Sequence, residues 1–327
     1  MAVKAETAVV IIVLSVAVAA LGAGAGQQAD FWVEGGRAVV DQAGRRIAVE
    51  KPFSRIISLY GAHTENLFAL GAGPLVIGVS PHEDFPPEAR QRPVFSYHDD
   101  PEKFLAARPD LVLIRPMIDR GYPQFVQRLE NSGIAVVSLQ PGTVEEMAVY
   151  WRILGILTGR AARAEAMVER FHRAAAGMQA LAAGIHPKKR VYFEAIHSKM
   201  KTFSPDSMAV FALETAGGIN VAADAQPVRG TNIAAYGKER ILTRAAEIDV
   251  FIAQSGSMNQ PTVELIKAES GFRAIRAVKA NEVYIIDERL VSRPTLRLLE
   301  GIFEIGKILY PHVFTPTARD ILKGDDP

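Results

Sequence analysis

An α/β fold of two lobes, each with a central parallel sheet, and one long helix between them is what this sequence predicts. Three observations predict it. Short apolar runs alternate with helical segments from Arg55 onward, a long proline-free helical stretch follows Ala161, and the alternation then resumes. Strands separated by helices require crossovers, and right-handed crossovers leave the strands parallel. At 327 residues, 49% apolar and 22% charged, the chain is long enough for two globular lobes and too apolar to be disordered.

The N-terminus stands apart from this pattern. Lys4 precedes "AVVIIVLSVAVAALGAGAG", which gives way to the polar "QQAD" and offers Ala23-Gly24-Ala25 as a small-residue cleavage signal. Residues 1–25 therefore read as a secretory signal peptide, processed near Gly26. Glu6 offsets Lys4 and the run is almost long enough to span a bilayer, so a retained anchor is the other reading. Both place the rest of the chain outside the cytoplasm. The sequence contains no cysteine, which excludes a disulfide framework and a lipid-bearing cysteine. A chain free in a periplasm-like space, not a lipoprotein, is expected. Net charge is +1 with the basic residues scattered, so no nucleic-acid footprint exists.

The N-terminal lobe is expected over residues 26–142. "FWVEGGRAVVDQAGRRIAVEK" alternates in short segments broken by glycine, as a hairpin on the lobe's edge would. Strands follow at 56–59, 76–79, 111–114 and 135–139, with helices at 64–70, 101–107 and 123–131. A linking helical segment spans 143–186. It opens with a capping box, Thr143 with Glu146, and Gly155 and Gly159 bend or break it near the middle. The stretch 161–182 forms one helix about 30 Å long, a stiff spacer. The C-terminal lobe, 187–327, carries strands at 190–195, 250–253 and 282–286 and helices at 208–215, 238–245, 263–269 and 295–310.

Ligands of open parallel sheets bind outside the carboxyl ends of the strands. At those ends lie Tyr60 and His63 after the first strand, His82 after the second and Arg115 after the third, with Tyr97 and His98 in the connection to the helix at Pro101. The second lobe adds His197, Lys199 and Lys201 after its first strand, Arg229 from "AQPVRGTN" and Arg293 from "SRP". One histidine or tyrosine after a strand is ordinarily a solvated loop residue. Their convergence carries the weight: Tyr, His, Arg and Lys together suit an anionic ligand with aromatic edges. These residues could also ligate a metal, but their spacing is irregular and no HExxH pair occurs.

Enzyme signatures are missing. "GAGPLVIG" follows a helix and lacks GxGxxG spacing, so it reads as a helix stop, and there is no GxSxG elbow or Walker lysine loop. "SPDS" at 204–207 reads as a helix cap rather than a nucleophile. A binding protein with no resident cofactor is expected.

Five segments, "RIISLYGAHTENLFALGAGPLVIGVS", "FLAARPDLVLI", "ETAGGINVAAD", "AVKANEVYIID" and "SRPTLRLLEGIFEIGKILYPHVF", fall in a familiar order and spacing. Through them the chain after Asp30 resembles substrate-binding proteins of the iron-chelate and cobalamin type, which serve ABC importers. The resemblance implies two Rossmann-like lobes joined by a backbone helix, here 161–182, with the ligand in the cleft and a monomeric chain that closes only modestly. It also implies docking to the membrane permease through a glutamate on each lobe, at the positions of Glu102 and Glu239.

Cobalamin binders ring the corrin with aromatic residues. Here the corresponding positions hold His82 and Arg115, with Tyr97 keeping an aromatic near a third. Less stacking area and more charge point to a smaller or more anionic cargo, and a ferric siderophore-like chelate fits. Haem, cobalamin and an oxyanion such as molybdate or tungstate stay open as alternatives; Tyr60, His63, Tyr97 or His98 could reach a haem iron. An enzyme built on the same two lobes around a metal cluster is remote, because such clusters need cysteine thiolates.

Overall fold

The computed structural model describes residues 31–323 apart from 82, 229, 230, 258 and 317. The expected signal peptide, 1–25, lies outside the described residues. Strands β1 (Trp32–Glu34), β2 (Ala38–Val40) and β3 (Arg46–Ala48) form an antiparallel meander, one strand more than the expected hairpin. Buried Asp41 ties it to the first lobe by accepting a 2.9 Å hydrogen bond from the Ser138 amide.

The first lobe runs β4 (Ile56–Ser58), α1 (Gly61–Ala69), β5 (Val76–Val79), α2 (Pro101–Ala107), β6 (Leu111–Ile114), α3 (Pro116–Gly121), α4 (Pro123–Asn131) and β7 (Ala135–Ser138). Its four strands are all parallel, in the order β5-β4-β6-β7. Every residue of β4 and β6 is buried, as expected when helices cover both faces. The strand order reverses at β4, since the chain leaves it for β5 on one side and returns to β6 on the other. A crevice therefore opens between the carboxyl ends of β4 and β6.

Next come α5 (Val144–Leu157) and α6 (Ala161–Ala183). The Thr143 hydroxyl caps α5 by accepting from the Glu146 amide at 3.2 Å, while the Glu146 carboxylate reaches the Gly142 amide at 2.6 Å. Gly159, at φ +68°, separates the two helices. The 23-residue α6 is more than a spacer: Met167, Val168, Phe171, Ala174 and Met178 belong to one apolar core that joins strands of both sheets. Burying this stripe, rather than helix propensity alone, holds α6 in place.

The second lobe begins with β8 (Arg190–Ile196), β9 (Lys201–Phe203), α7 (Met208–Thr215), β10 (Ile219–Asn220), β11 (Gln226–Pro227), β12 (Ile233–Ala235) and α8 (Lys238–Thr243). It continues with β13 (Val250–Ser255), α9 (Val263–Ala268), α10 (Arg276–Lys279), β14 (Val283–Asp287), α11 (Glu288–Val291), α12 (Leu298–Leu309) and α13 (Asp320–Lys323). The sheet order is β11-β12-β9-β8-β13-β14, with β10 beside the start of β8. Strands β8, β13, β14 and β10 are parallel, whereas β9, β12 and β11 pair antiparallel. The sequence predicted a parallel sheet alone. Its antiparallel strands are two or three residues long and too short to show a period.

The lobes meet behind the crevice. Arg297 makes a two-pronged ion pair with Glu65, 2.8 and 2.6 Å, both side chains largely buried. The Pro294 carbonyl accepts from Asn66 Nδ2 at 2.8 Å and from Trp151 Nε1 at 3.3 Å.

Candidate functional site

Between the lobes lies a cleft cavity of 580 Å³. That volume falls in the usual range for small-molecule sites. Its first wall is built from the carboxyl ends of the lobe-one strands: Tyr60 after β4, Glu83 after β5, Arg115 after β6 and Gln140 after β7. Tyr97 and His98, just ahead of α2, complete it. The facing wall comes from Asn232, Gln254, Glu288, Ser292 and Arg293.

Tyr60 and Arg115 sit at the two strands flanking the crevice. The Arg115 guanidinium lies 4.6 Å from the centre of the Tyr60 ring, a cation–π contact that fixes both groups. Burial pushes the Tyr60 hydroxyl above its ordinary pKa of 10.0, against the pull of Arg115. Arg115 Nε is buried without a protein hydrogen bond, which leaves it a donor in need of a partner. Tyr97, His98 and Tyr122 form a ring cluster with centroids 4.3, 4.7 and 5.1 Å apart. Tyr122 braces the other two from the junction of α3 and α4.

Two carboxylates were missed by sequence reasoning. Burial pushes the Glu83 carboxyl up to about 7, although Ser80 hydrogen-bonds it and Arg293 pulls the other way. Glu288, at the start of α11, accepts from the Ser257 amide at 3.1 Å. The position of Glu83 after β5 was the available signal, since the same rule selected its neighbour His82. Gly61 lets these groups close in. A Cβ there would lie 2.8 Å from Arg293 Nη1 and 3.1 Å from Glu83 Oε2 and would push them aside. The cleft is therefore of mixed charge, Glu83 and Glu288 against Arg115 and Arg293.

The predicted residues divide into three groups. Tyr60, Tyr97, His98, Arg115 and Arg293 line the cleft. His82 and Arg229 lie outside the described residues. His63, His197 and Lys199 do not line it, and each is a correction.

His63 is 0% exposed. Helix α1 starts at Gly61, three residues earlier than predicted, which turns His63 onto the inner face of its first turn. Nε2 lies 3.0 Å from the Ile114 carbonyl, which can only accept, so Nε2 carries the proton. Nδ1 then accepts from the Tyr150 hydroxyl at 2.7 Å. Burial lowers the His63 pKa to about 3 and keeps the ring neutral.

His197 is 5% exposed and bonds through Nδ1 to both oxygens of the fully buried Glu194, at 2.9 and 3.1 Å. The Glu194 hydrogen bond raises the His197 pKa, and burial raises that of Glu194. Residues His197–Lys199 form a 3-10 turn closed by Met200 at φ +47°, which folds the chain straight back into β9. Lys199 points to solvent on that turn.

Glu102 and Glu239 occupy the first turns of α2 and α8 and are both exposed. Glu102 pairs with Arg128. Glu239 forms no ion pair among the described residues. Nor do those residues hold any group of three or more His, Asp or Glu side chains arranged for a metal ion.

Comparison with known proteins agrees with this architecture. The chain is 25% identical over 279 residues to an uncharacterized ABC transporter substrate-binding lipoprotein, YvrC, of Bacillus subtilis, covering 84% of this chain and 85% of that one. It is 24% identical over 260 residues to the vitamin B12-binding protein of Vibrio cholerae, covering 78% and 89%. The crystal structure of a possible iron-binding (periplasmic solute-binding) protein from Staphylococcus epidermidis superposes with a TM-score of 0.70 at 27% identity, covering 80% of this chain and 100% of that one. Residues 56–290 match the family model described as periplasmic binding protein. With most of its length matched and its two lobes meeting at a cleft, the chain belongs to the periplasmic binding protein family and is a binding protein, not an enzyme.

Proposed function

We propose that this protein captures a ferric siderophore-like chelate in the cleft outside the cytoplasm and delivers it to the permease of an ABC importer. One observation carries the reading: Tyr60, Tyr97 and His98 offer ring faces and edges to the same 580 Å³ cavity into which Arg115 and Arg293 bring positive charge. A chelate brings its own metal donors and needs from the protein only stacking surface and counter-charge. The cavity is too roomy for a bare oxyanion, which needs several converging donors at once. The absence of cysteine supports a chain without a lipid anchor, unlike the relative named as a lipoprotein. The core shared between the lobes and the Glu65–Arg297 pair support closure of small amplitude.

The test is a thermal-shift screen, followed by calorimetry, against ferric siderophores, ferric citrate, haemin, cobalamin and molybdate. A cargo at one hundred times its Kd adds about 2.7 kcal/mol of stability. A shift with ferric chelates alone is expected. A shift with haemin or cobalamin alone would reassign the cargo, and silence across the whole panel would reopen the cleft assignment. Docking is tested separately: Glu102→Lys with Glu239→Lys should abolish uptake while leaving cargo affinity unchanged.

A further inference from the structure

Arg115 is weakly secured by its own side-chain contacts. Its guanidinium lies 4.6 Å from the centre of the Tyr60 ring, and Nη2 lies 3.2 Å from the sulfur of Met117, an exposed side chain. It forms no ion pair among the described residues, and its buried Nε has no hydrogen-bond partner. Its backbone brings little more. Arg115 stands at the start of α3, a helix of six residues with no side-chain hydrogen bond capping its N-terminus. So short a helix is unstable by itself. Something outside it must fix the place from which Arg115 reaches the cleft.

That support comes from the turn between β2 and β3, residues 41–45, none of which lines the cleft. Asp41, with no exposure, shapes the turn by accepting from the amides of Ala43 and Arg45 at 3.0 and 2.9 Å and from Arg45 Nε at 2.8 Å. It also accepts from the Ser138 amide at the end of β7, and the Gln42 amide donates to the Ser138 carbonyl at 3.0 Å. The turn is thus fastened to the lobe-one sheet. From this base Arg45 extends a two-pronged grip to Asp119 in α3, Nη1 and Nη2 donating to its two oxygens at 2.7 and 2.8 Å. The paired geometry fixes orientation as well as distance. With the two side chains only 23% and 15% exposed, solvent screens the pair little. Asp119 lies four residues after Arg115, and the amides of Ile118 and Asp119 donate to the Arg115 carbonyl at 2.8 and 3.4 Å.

We propose that Arg45 and Asp119 are positioning residues of the cleft: through α3 they hold the Arg115 guanidinium over the Tyr60 ring, where it meets an anionic cargo. The proposal rests on the reading of the cleft as the cargo site. It makes the N-terminal meander part of the binding apparatus, although no meander residue lines the cleft.

Asp119→Ala separates positioning from charge by the sign of its effect. If charge alone matters, removing an acidic group tightens binding of an anion; if the tie matters, binding loosens. In calorimetry, Asp119→Ala should bind ferric citrate about tenfold more weakly than the native chain, and in an Arg115→Ala background the same substitution should change affinity by less than about twofold. Without cargo, the NMR signal of the Arg115 Nε–H group, identified by its loss in Arg115→Ala, should shift in Asp119→Ala and exchange faster with water. Arg45→Lys keeps the charge but not the fork, disturbs folding less, and should fall between the native chain and Asp119→Ala in both readings. Glu34→Ala, which breaks the exposed Arg46–Glu34 pair on the same meander, should change neither. The proposal is overturned if Asp119→Ala leaves the Arg115 signal in place, if it binds ferric citrate as tightly as the native chain or more tightly, if it weakens binding equally in the absence of Arg115, or if Glu34→Ala does the same damage. Should ferric citrate fail to bind the native chain, the reading of the cargo falls, and the cargo-free signal still decides whether the tie holds Arg115.

Discussion

The two rims of the cleft are built by different means, although a parallel strand begins each lobe. In lobe one each of the four strands ends at the cleft and contributes there, through Tyr60, Glu83, Arg115 and Gln140. In lobe two the first strand, β8, contributes nothing from the turn that follows it. That turn reverses at Met200 into the antiparallel β9, so His197 is drawn inward against Glu194 and Lys199 is left in solvent. The facing wall comes instead from the ends of β13 and β14, through Gln254 and Glu288, and from the loop before β12, through Asn232. Ligand-facing ends are thus a property of parallel strands that lead onward, not of strands that turn back on themselves.

The largest expected effect breaks this comparison if it fails. His197→Ala removes the ring that, alone among the described residues, hydrogen-bonds Glu194, a carboxylate with no exposure, and should destabilise the chain by about 3 kcal/mol in urea unfolding. Cargo affinity should stay within a factor of about two. Lys199→Ala, on the same turn, should change stability by less than about 0.5 kcal/mol and leave affinity alone. If His197→Ala instead lost affinity and kept its stability, the second rim would follow the same rule as the first.

Next in size is the pair of cleft arginines. Truncating a group that makes a charged hydrogen bond costs about 1.5–3 kcal/mol, so Arg293→Ala should weaken binding of an anionic ferric chelate about tenfold to a hundredfold. Arg115→Ala should do the same and also free the Tyr60 ring that it now covers. Melting temperatures without cargo should barely move, in contrast to His197→Ala. Calorimetry of the two variants that showed unchanged affinity would remove the arginines from the site.

What could be read in the sequence and what could not follows the same division. Elements of four residues or more with a clear period were legible, as β5, β6, α2, α4 and α7 show by beginning and ending where predicted. The cap at Ser207 and the helix stop at Gly71, φ +70°, were legible because they depend on local chemistry. The hairpin of β8 and β9 was not, since its second strand has three residues and is too short to show a period. His63 was misread through its helix start. Ahead of the helix it reads as a loop residue on the rim, whereas inside the first turn it faces the core. Glu83 was not singled out because its burial, which sets its chemistry apart, is a tertiary property.

The smallest effect is the most discriminating, because it depends on the direction of one pKa. Burial holds the Glu83 carboxyl at about 7, above its ordinary 4.5. The folded chain therefore binds a proton there that the unfolded chain releases. That contribution to stability is greatest in acid, falls as pH rises from about 4.5 to about 7, and is level above. The consequence for binding runs the same way. Above pH 7 Glu83 and Glu288 balance Arg115 and Arg293; below it Glu83 is neutral and the four groups carry one net positive charge. An anionic ferric chelate whose own charge is constant should bind about fivefold more tightly at pH 6 than at pH 8. Glu83→Gln should abolish most of that dependence and bind at pH 8 as the native chain binds at pH 6. If the variant keeps the full dependence, the titrating group is not Glu83. If instead the native chain binds more tightly at pH 8, the cargo is not anionic, and the two arginines serve to balance the two glutamates rather than to recruit it.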